Sequence, residues 1–308
     1  MQADRADSAW RPRFVCPGCS AFLDGTATGL RCRSCSGDYE RRAGVYRLLS
    51  PDRLAQLEPF LAQYRHVRLR DGYRTADPDY YRRLPDVDDR HPQADIWRVR
   101  RDTFGRLCGR VLARRDDRSL TVLDLGAGNG WLSHRLAALG HRVVALDWLD
   151  DAVDGLGVWP RYPSRFVCVQ ADFDRAPFAP AQFDLVVFNG SLHYAPDVMA
   201  TIIGAARQVA PGGALLVMDS PTFRRAADGQ AMLRRADQQF RSEYGFEDVV
   251  RQGAGYLTFS DLWRAAGELG LGSRFFRSSG GLGWSLRRLV GGLKMRRGPA
   301  AFGLWVAT

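Results

Sequence analysis

Apolar residues recur along this chain with two different periods, and the period predicts where strands and helices lie. Short, continuous apolar runs predict buried strands over 121–125, 141–147, 165–172, 183–189 and 214–219. Helical spacing predicts helices over 94–113, 131–139, 197–210, 224–244 and from residue 256 onward, the last with Ser260 as its cap. Two further runs, 272–277 and 301–307, are expected to be closing strands. This alternation indicates an α/β fold in which helices cover both faces of a largely parallel sheet.

The 308 residues divide into three predicted units. Residues 1–50 form a small cysteine-containing unit, residues 51–118 a helical connector, and residues 119–308 the sheet domain with an insertion at about 220–260. The connector contains too many aromatic side chains and arginines for a simple linker. We therefore expect it to pack against the sheet domain.

Four cysteines in the first unit form two C-x-x-C pairs, Cys16 with Cys19 and Cys32 with Cys35, with twelve residues between the pairs. Each pair turns both sulfurs toward one point, and together they supply four thiolates for a tetrahedral ion. Two disulfides or a chance pattern are the alternatives, but the regular spacing and the lack of a secretory signal favour zinc. Because four thiolates leave no coordination position open, we expect a structural metal.

The formal net charge of +10 favours phosphate, carboxylate or anionic lipid as partners without identifying one. The basic segment 284–297 is amphipathic and is a candidate contact for acidic lipid or phosphate, although a solvated face is the favoured interpretation. Residues 1–13 are polar and mixed in charge, unlike a secretory signal. No apolar run approaches the roughly 18 residues of a membrane helix. We therefore expect a cytoplasmic protein without stable membrane insertion.

The first strand of the sheet domain runs directly into a glycine turn, in which Gly126, Gly128 and Gly130 follow Asp124. Glycine tolerates backbone angles that other residues resist and lets a ligand lie against bare main chain. A dinucleotide fingerprint would need its third glycine at the position of Trp131. The pattern D-x-G-x-G-x-G instead resembles motif I of the class I S-adenosylmethionine (SAM) methyltransferases, whose sheet is Rossmann-like and seven-stranded. The resemblance covers roughly residues 119–219.

This resemblance implies a SAM site at the carboxyl ends of the strands. It implies that Asp124 and the three glycines shape the loop, that Asp147 accepts the ribose hydroxyls, and that Asp172 accepts a hydrogen bond from the adenine amine. Three more residues are assigned to this site: Trp148, Phe173 and Asn189. Trp148 and Phe173 would either flank the adenine ring or belong to the core. In this family the segment before the first strand often covers the cofactor, so five connector residues are candidates for a lid or, with more weight for any one of them, for helix packing: Tyr73, Arg74, Tyr80, Tyr81 and His91.

Methyl transfer from a sulfonium is an in-line displacement, so catalysis depends largely on holding the acceptor and the methyl group aligned. A base is needed only for an acceptor that carries a proton, such as a hydroxyl. The loop after the fourth strand carries two candidates, His193 and, more weakly, Tyr194. The favoured alternative is that His193 packs against the cofactor or hydrogen-bonds it.

Three functions remain open from the sequence. The leading one is a SAM-dependent methyltransferase of a small-molecule or lipid-like acceptor, most plausibly acting at oxygen. A closed apolar pocket lined by residues 73–91 and 224–260 would favour it. The third is a non-catalytic scaffold, which the intact glycines and acids argue against.

The second function is an rRNA or tRNA methyltransferase, with RNA as the partner. The cysteine unit, with the run 38–49 that follows it, resembles the zinc ribbons in front of several bacterial methyltransferases, including the 23S rRNA guanine-N1 enzymes. Against this function, the loop at Asn189 lacks the N/D-P-P-Y/F motif of enzymes that methylate exocyclic base amines. The ribbon does carry five basic residues that would suit RNA: Arg31, Arg33, Arg41, Arg42 and Arg47.

Overall fold

The computed structural model describes residues 10–75, 77–115, 118–281, 283, 284, 286 and 297–308, except for the side chain of Pro78. Within these residues, eleven hydrogen-bonded strands form one mixed sheet. The described strands are β1 (Leu23–Gly25), β2 (Gly29–Cys32), β3 (Asp38–Arg42), β4 (Val45–Arg47), β5 (Thr121–Leu125), β6 (Arg142–Asp147), β7 (Val167–Gln170), β8 (Phe183–Asn189), β9 (Val209–Met218), β10 (Thr222–Phe223), β11 (Leu257–Thr258), β12 (Ser273–Arg277) and β13 (Gly303–Ala307). The α-helices are α1 (Pro51–Arg70), α2 (Pro78–Arg83), α3 (Ala94–Arg110), α4 (Trp131–Ala138), α5 (Val198–Ala206), α6 (Ala226–Tyr244) and α7 (Phe259–Glu268). Strands β10 and β11 pair with each other outside the large sheet.

Seven of these strands build the predicted Rossmann-like sheet, in the order β7-β6-β5-β8-β9-β13-β12. All run parallel except β13, which is antiparallel to both of its neighbours. Every residue of β5 is buried, because helices cover both faces. Leu123 packs in a core with α1, α5 and α7, whereas Val122 packs in a second core with α3 and α4. The predicted fold class and both closing strands are therefore confirmed.

The cysteine unit extends this sheet beyond β7. Strands β1 to β4 are antiparallel neighbours, and β4 then pairs in parallel with β7, with Val45 opposite Cys168. The pairing covers an edge that would otherwise expose the backbone groups of β7. An isolated bridge joins Phe14 to Phe178 on the same side of the domain. The unit is thus hydrogen-bonded to the sheet domain along its edge.

Helix α1 crosses the carboxyl ends of β6 and β7. It begins at Ser50, whose Oγ accepts a hydrogen bond from the Arg53 amide at 3.2 Å, and it continues through Pro59 for 20 residues. Phe60 is buried and meets the Trp148 ring edge-on, with 6.1 Å between the ring centroids. The connector therefore contributes a helix to the edge of the sheet where ligands bind in open α/β folds.

The part of the chain after β9 contains helix α6, which agrees with the helix predicted over 224–244. Helix α7 is capped by Thr258 and not by Ser260, which lies inside the helix: Thr258 Oγ1 accepts from the Asp261 amide at 3.1 Å, and the Asp261 carboxylate accepts from the Thr258 amide at 3.2 Å. The basic segment predicted over 284–297 falls mostly outside the described residues. Within the described chain, none of the helices combines the length and apolar character that crossing a bilayer requires.

Candidate functional site

The glycine turn after β5 has backbone angles that favour glycine. Gly126, Gly128 and Gly130 have φ values of 74°, 58° and 79°. At Gly126 an added Cβ would lie 2.3 Å from the Ser191 Cβ, so no side chain fits between the turn and the loop after β8. At Gly128 an added Cβ would meet nothing within 4 Å. The turn therefore presents bare backbone to the crevice beside it.

Asp147, the last residue of β6, is hydrogen-bonded to this turn. Its Oδ2 accepts from the Gly128 amide and its Oδ1 from the Leu149 amide, both at 2.8 Å. Burial raises the pKa of Asp147 to about 6, although these amide hydrogen bonds lower it. Each carboxylate oxygen keeps a second lone pair for a ligand hydroxyl.

Six of the nine residues predicted to hold the cofactor line one crevice at this edge of the sheet: Gly126, Gly128, Asp147, Trp148, Phe173 and Asn189. The other three predicted residues, Asp124, Gly130 and Asp172, are outside its lining. The sheet therefore brings most of the predicted set together, because the carboxyl ends of parallel strands meet at one edge.

Asp124 lies beneath the turn, fully buried in β5. Its Oδ2 accepts from the Ser133 hydroxyl at 2.8 Å, which links β5 to α4, and its Oδ1 has no hydrogen-bond partner among the described residues. Burial raises the pKa of Asp124 to about 7. The residue thus supports the loop from below and does not face the crevice.

Replacing Asp124 with asparagine is expected to flatten the pH dependence of stability. The folded protein holds a proton on Asp124 that the unfolded chain has already released, because the pKa is raised from 3.8 to about 7. The free energy of unfolding of the wild type therefore falls as pH rises through this window, by up to about 1.4 kcal/mol per pH unit from this group. Urea unfolding of both proteins at about pH 5 and about pH 8 tests this. The free energy of unfolding of the variant, relative to that of the wild type, should be greater at about pH 8 than at about pH 5. An equal difference between the two proteins at both pH values would contradict this prediction.

Trp148 and Phe173 form one wall of the crevice. Their ring centroids are 4.8 Å apart, with 36° between the ring planes, which is direct aromatic contact. Their role as flanks of the adenine ring remains a prediction. Both rings are also buried in the core around α1, which was the alternative considered from the sequence.

The Asp172 carboxylate accepts hydrogen bonds from protein side chains, whereas the sequence predicts a carboxylate that is available to the adenine amine. The carboxylate accepts from the Trp148 indole Nε1–H at 2.8 Å and from the Arg53 guanidinium at 3.0 Å. Arg53 belongs to α1, so this acid fixes the helix over the end of β7. Its role toward adenine remains a prediction.

Side chains of α1 cover the crevice, whereas the lid candidates named from the sequence lie further along the connector. Arg68 donates to both carboxylate oxygens of Asp154, at 2.6 and 2.8 Å, and its guanidinium carbon lies 3.8 Å from the Tyr73 ring centroid. The volume left in the crevice is about 90 Å³, which is small for a nucleoside. A nucleoside as large as SAM therefore requires these side chains, or α1 itself, to move.

The connector residues proposed as a lid separate into two groups. Tyr73 is buried and lines a second cavity, and Arg74 donates to Asp151 at 2.8 Å. The remaining three are outside the lining of both cavities, and they pack against one another and against neighbouring residues: Tyr80, Tyr81 and His91. Helix packing, the favoured alternative, thus describes these three.

A larger cavity of about 450 Å³ adjoins the crevice. The two share part of their lining, including Tyr64, Arg100 and Gly190. Its other walls are mainly apolar and come from the connector, from α6 and from the loop after it, as in Val67, Met232, Leu233, Ala236, Phe240 and Val250. The expected pocket is therefore met in part: residues of 224–260 line it as predicted, but of the described residues in 73–91 only Tyr73 does.

His193 and Tyr194 both line this cavity. The His193 Nδ1 lies 3.3 Å from the Ser220 hydroxyl, and the His193 and Tyr194 ring centroids are 4.2 Å apart. Burial, followed by the charge of Arg100, lowers the pKa of His193 to about 4, so its imidazole is neutral and weakly basic near neutral pH. Burial raises the pKa of Tyr194. The catalytic role of either residue remains a prediction.

Several charged residues of the cavity lining were missed from the sequence, among them Arg100 of α3 and Asp219 after β9. The Arg100 guanidinium carbon lies 4.6 Å from the Trp97 ring centroid. Asp219 is only 8% exposed, and burial raises its pKa to about 6. Asp219 could have been found from its position at the carboxyl end of the predicted fifth strand. Asp147 has the equivalent position at the end of the second strand.

The four cysteines of the first unit form one cluster. Their sulfur atoms all lie within 4.8 Å of one another, with 3.5 Å from Cys16 to Cys35 and 3.4 Å from Cys19 to Cys32. Tetrahedral zinc with bonds of about 2.3 Å holds its sulfurs about 3.8 Å apart. The cluster therefore fits the size and ligand number of a structural zinc site.

Comparison with known proteins agrees with this geometry. A family model described as a methyltransferase domain matches residues 123–217. The magnesium protoporphyrin IX methyltransferase of Synechocystis, solved with bound SAH, superimposes with a TM-score of 0.50 and 19% identity, over 78% of this chain and 98% of that one. These findings confirm the fold and a methyltransferase domain of the SAM-dependent class.

Two curated relatives match shorter stretches of the chain. The malonyl-[acyl-carrier protein] O-methyltransferase of Erwinia billingiae is 33% identical over 114 residues, which is 36% of this chain and 44% of that protein. The ubiquinone biosynthesis O-methyltransferase of Xanthomonas campestris is 35% identical over 102 residues, 31% of this chain and 41% of that protein. The chain thus spans less than half the length of these relatives.

Proposed function

We propose that this protein is a SAM-dependent O-methyltransferase of a small, largely apolar acceptor. The observation that carries the proposal is the apolar cavity of about 450 Å³ that opens onto the crevice beside the glycine turn. A cofactor in the crevice and an acceptor in the cavity would meet at the lining they share. Holding the two in line is the main requirement of this reaction.

SAM supplies a methyl group bound to a sulfonium, and the residues of the crevice suit such a molecule. Gly126 and Gly128 would approach its amino-acid arm, and Asp147 would accept from its ribose hydroxyls. Phe60 and Tyr64 of α1 line both the crevice and the cavity. In this arrangement α1 excludes water from the point of transfer.

Two considerations favour a small acceptor and transfer to oxygen. Both curated relatives reported above are named as O-methyltransferases. The acceptor cavity is enclosed by α1, α3 and α6, which suits a molecule that enters it whole. A lipid-like compound with a short apolar chain meets the same description.

Three of the five ribbon arginines that would suit RNA lie beside acids. Arg31 lies 3.5 Å from Asp38, Arg33 lies 2.6 Å from Asp24, and Arg47 pairs with Asp150. Pairing with a nearby acid reduces the positive potential that a phosphate backbone would feel. An RNA substrate is therefore an outcome to be tested and not the favoured one.

We further propose that Cys16, Cys19, Cys32 and Cys35 hold a structural zinc ion. The closed set of four sulfurs leaves no ligand position for a substrate. The ion would fix the loops that carry β1 to β4, and through β4 it would support the edge of β7. Zinc thus has a structural role in this proposal and takes no part in methyl transfer.

Transfer of labelled methyl groups tests the proposed function. Wild-type protein and labelled SAM, incubated with fractionated extract, should label small molecules that partition into organic solvent. The matched variant Leu233→Arg places a charge in the cavity and leaves the crevice lining intact, so it should lose transfer and keep SAM binding. Label in the RNA fraction, equal for both proteins, would refute the proposal.

A further inference from the structure

Asp219 stands out among the side chains of the acceptor cavity. It directly follows β9, and its φ of 52° lies in the left-handed region that few residues other than glycine adopt. It is 8% exposed, yet it lines a cavity whose walls are mostly apolar. A carboxylate in such surroundings is costly unless something compensates its charge.

Only one of the two carboxylate oxygens of Asp219 accepts a hydrogen bond within the described chain, and the positive charge of Arg100, in the same cavity lining, also acts to lower the pKa of this carboxyl. The Thr103 hydroxyl lies 2.5 Å from Oδ1, and it also lies 2.8 Å from the Ser278 hydroxyl, so a hydroxyl pair fixes the carboxylate. Oδ2 is buried without a hydrogen-bond partner. Five other polar side chains of the cavity each have a partner within the protein: Gln63, Arg68, Asp71, His193 and Arg251.

We propose that Asp219 binds the acceptor and receives its proton, and that the acceptor is an apolar phenol. This inference rests on the proposed function and names its substrate class. An unpartnered carboxylate oxygen suits a hydroxyl that donates to it and repels a second carboxylate. Apolar walls suit the hydrocarbon body of such a molecule. A phenol releases its proton near pH 10, far more readily than an aliphatic alcohol, which suits a weak carboxylate base.

The proposed step conserves atoms and charge. The phenol O–H bond breaks and its proton goes to the free oxygen of Asp219, while the phenol oxygen forms the new bond to the methyl carbon. SAM supplies that methyl group, and its sulfonium becomes a neutral thioether. His193 is the other candidate base of the cavity, but its pKa is lowered to about 4 whereas burial raises that of Asp219 to about 6. Asp219 is therefore the stronger base of the two.

A matched pair of probes tests the assignment: 4-heptylphenol and its methyl ether, 4-heptylanisole, in which a methyl group replaces the hydroxyl proton. In the presence of SAH, calorimetry should find that wild-type protein binds the phenol about 10-fold to 100-fold more tightly, the worth of a hydrogen bond to a charged group. Asp219→Asn should bring the two affinities close together. Leu233→Ala, on the apolar wall, should weaken both probes equally.

Turnover of 4-heptylphenol with labelled SAM gives a second readout. Asp219→Asn should lower kcat by about 100-fold or more, and His193→Gln by much less. Equal binding of phenol and ether by wild-type protein, which needs no variant to fold, would overturn the assignment. So would a kcat that falls with His193→Gln alone, or tighter binding of octanoate than of the phenol. Failure of wild-type protein to bind SAM or SAH would instead refute the proposed function itself.

Discussion

Removal of zinc from the native protein is expected to lower its melting temperature by about 10 °C and to weaken SAM binding severalfold. Four thiolates without their ion leave the loops around Cys16 and Cys32 unsupported, and metal binding supplies much of the folding free energy of so small a unit. A loss of about 6 kcal/mol produces a shift of this size in a chain of 308 residues. Because β4 pairs with β7, the damage should reach the crevice.

Chelator titration, followed by differential scanning calorimetry and by zinc analysis, measures this effect. Cys32→Ser should reproduce it in the absence of chelator. Cys108→Ser is the matched control, since Cys108 is a half-buried thiol outside the cluster, and it should change the melting temperature little. Intact stability after complete zinc removal would contradict the structural role of the cluster.

Asp147→Ala is expected to weaken SAM binding by about 10-fold to 100-fold. The variant loses a charged acceptor for the ribose hydroxyls, worth about 1.5–3 kcal/mol. It also frees the Gly128 amide, which Asp147 holds at 2.8 Å, and so loosens the glycine turn. Calorimetric titration with SAM measures the affinity.

Asp150→Asn is the control for this substitution. Asp150 lies on the same loop, three residues further along the chain, but it pairs with Arg47 and is outside the lining of the crevice. The affinity of the Asp150→Asn variant for SAM should match that of the wild type. If Asp147→Ala also bound SAM with unchanged affinity, the ribose assignment would fail.

The sheet and its glycine turn could be predicted because their signals are local. Five apolar runs, each a few residues long, report burial on both faces of a sheet, and the turn at Gly126 follows one of them directly. The position of Asp147 beside that turn then follows from parallel topology alone, because the carboxyl ends of neighbouring strands share one edge.

The contacts that hold α1 over the crevice could not be predicted, because they join distant parts of the chain. Arg68 and Asp154 are 86 residues apart, and Arg53 and Asp172 are 119 apart. Each of these residues alone resembles any surface charge. Nothing in the sequence pairs them, so the contacts of Asp172 with Trp148 and Arg53 emerge only from the structure, and its role toward adenine remains a prediction.

The continuity of the ribbon with the sheet was missed for a related reason. Cysteine spacing predicts a compact metal unit, and such a unit has a complete set of ligands without any partner. Strand β4 is only three residues long, too short to carry a readable alternation, yet its pairing with β7 joins the two units. Asp219 escaped notice because an acid at a strand end is common and only its unpartnered oxygen distinguishes it.

A crystal structure of the protein with SAH tests the central claim most directly. The account predicts one SAH per chain in the crevice, with its ribose hydroxyls on Asp147, its amino-acid arm along Gly126 and Gly128, and the side chains of α1 displaced from their present positions. Binding of SAH at any other place, or a crevice still filled by Phe60, Tyr64 and Arg68 at saturating SAH, would contradict it.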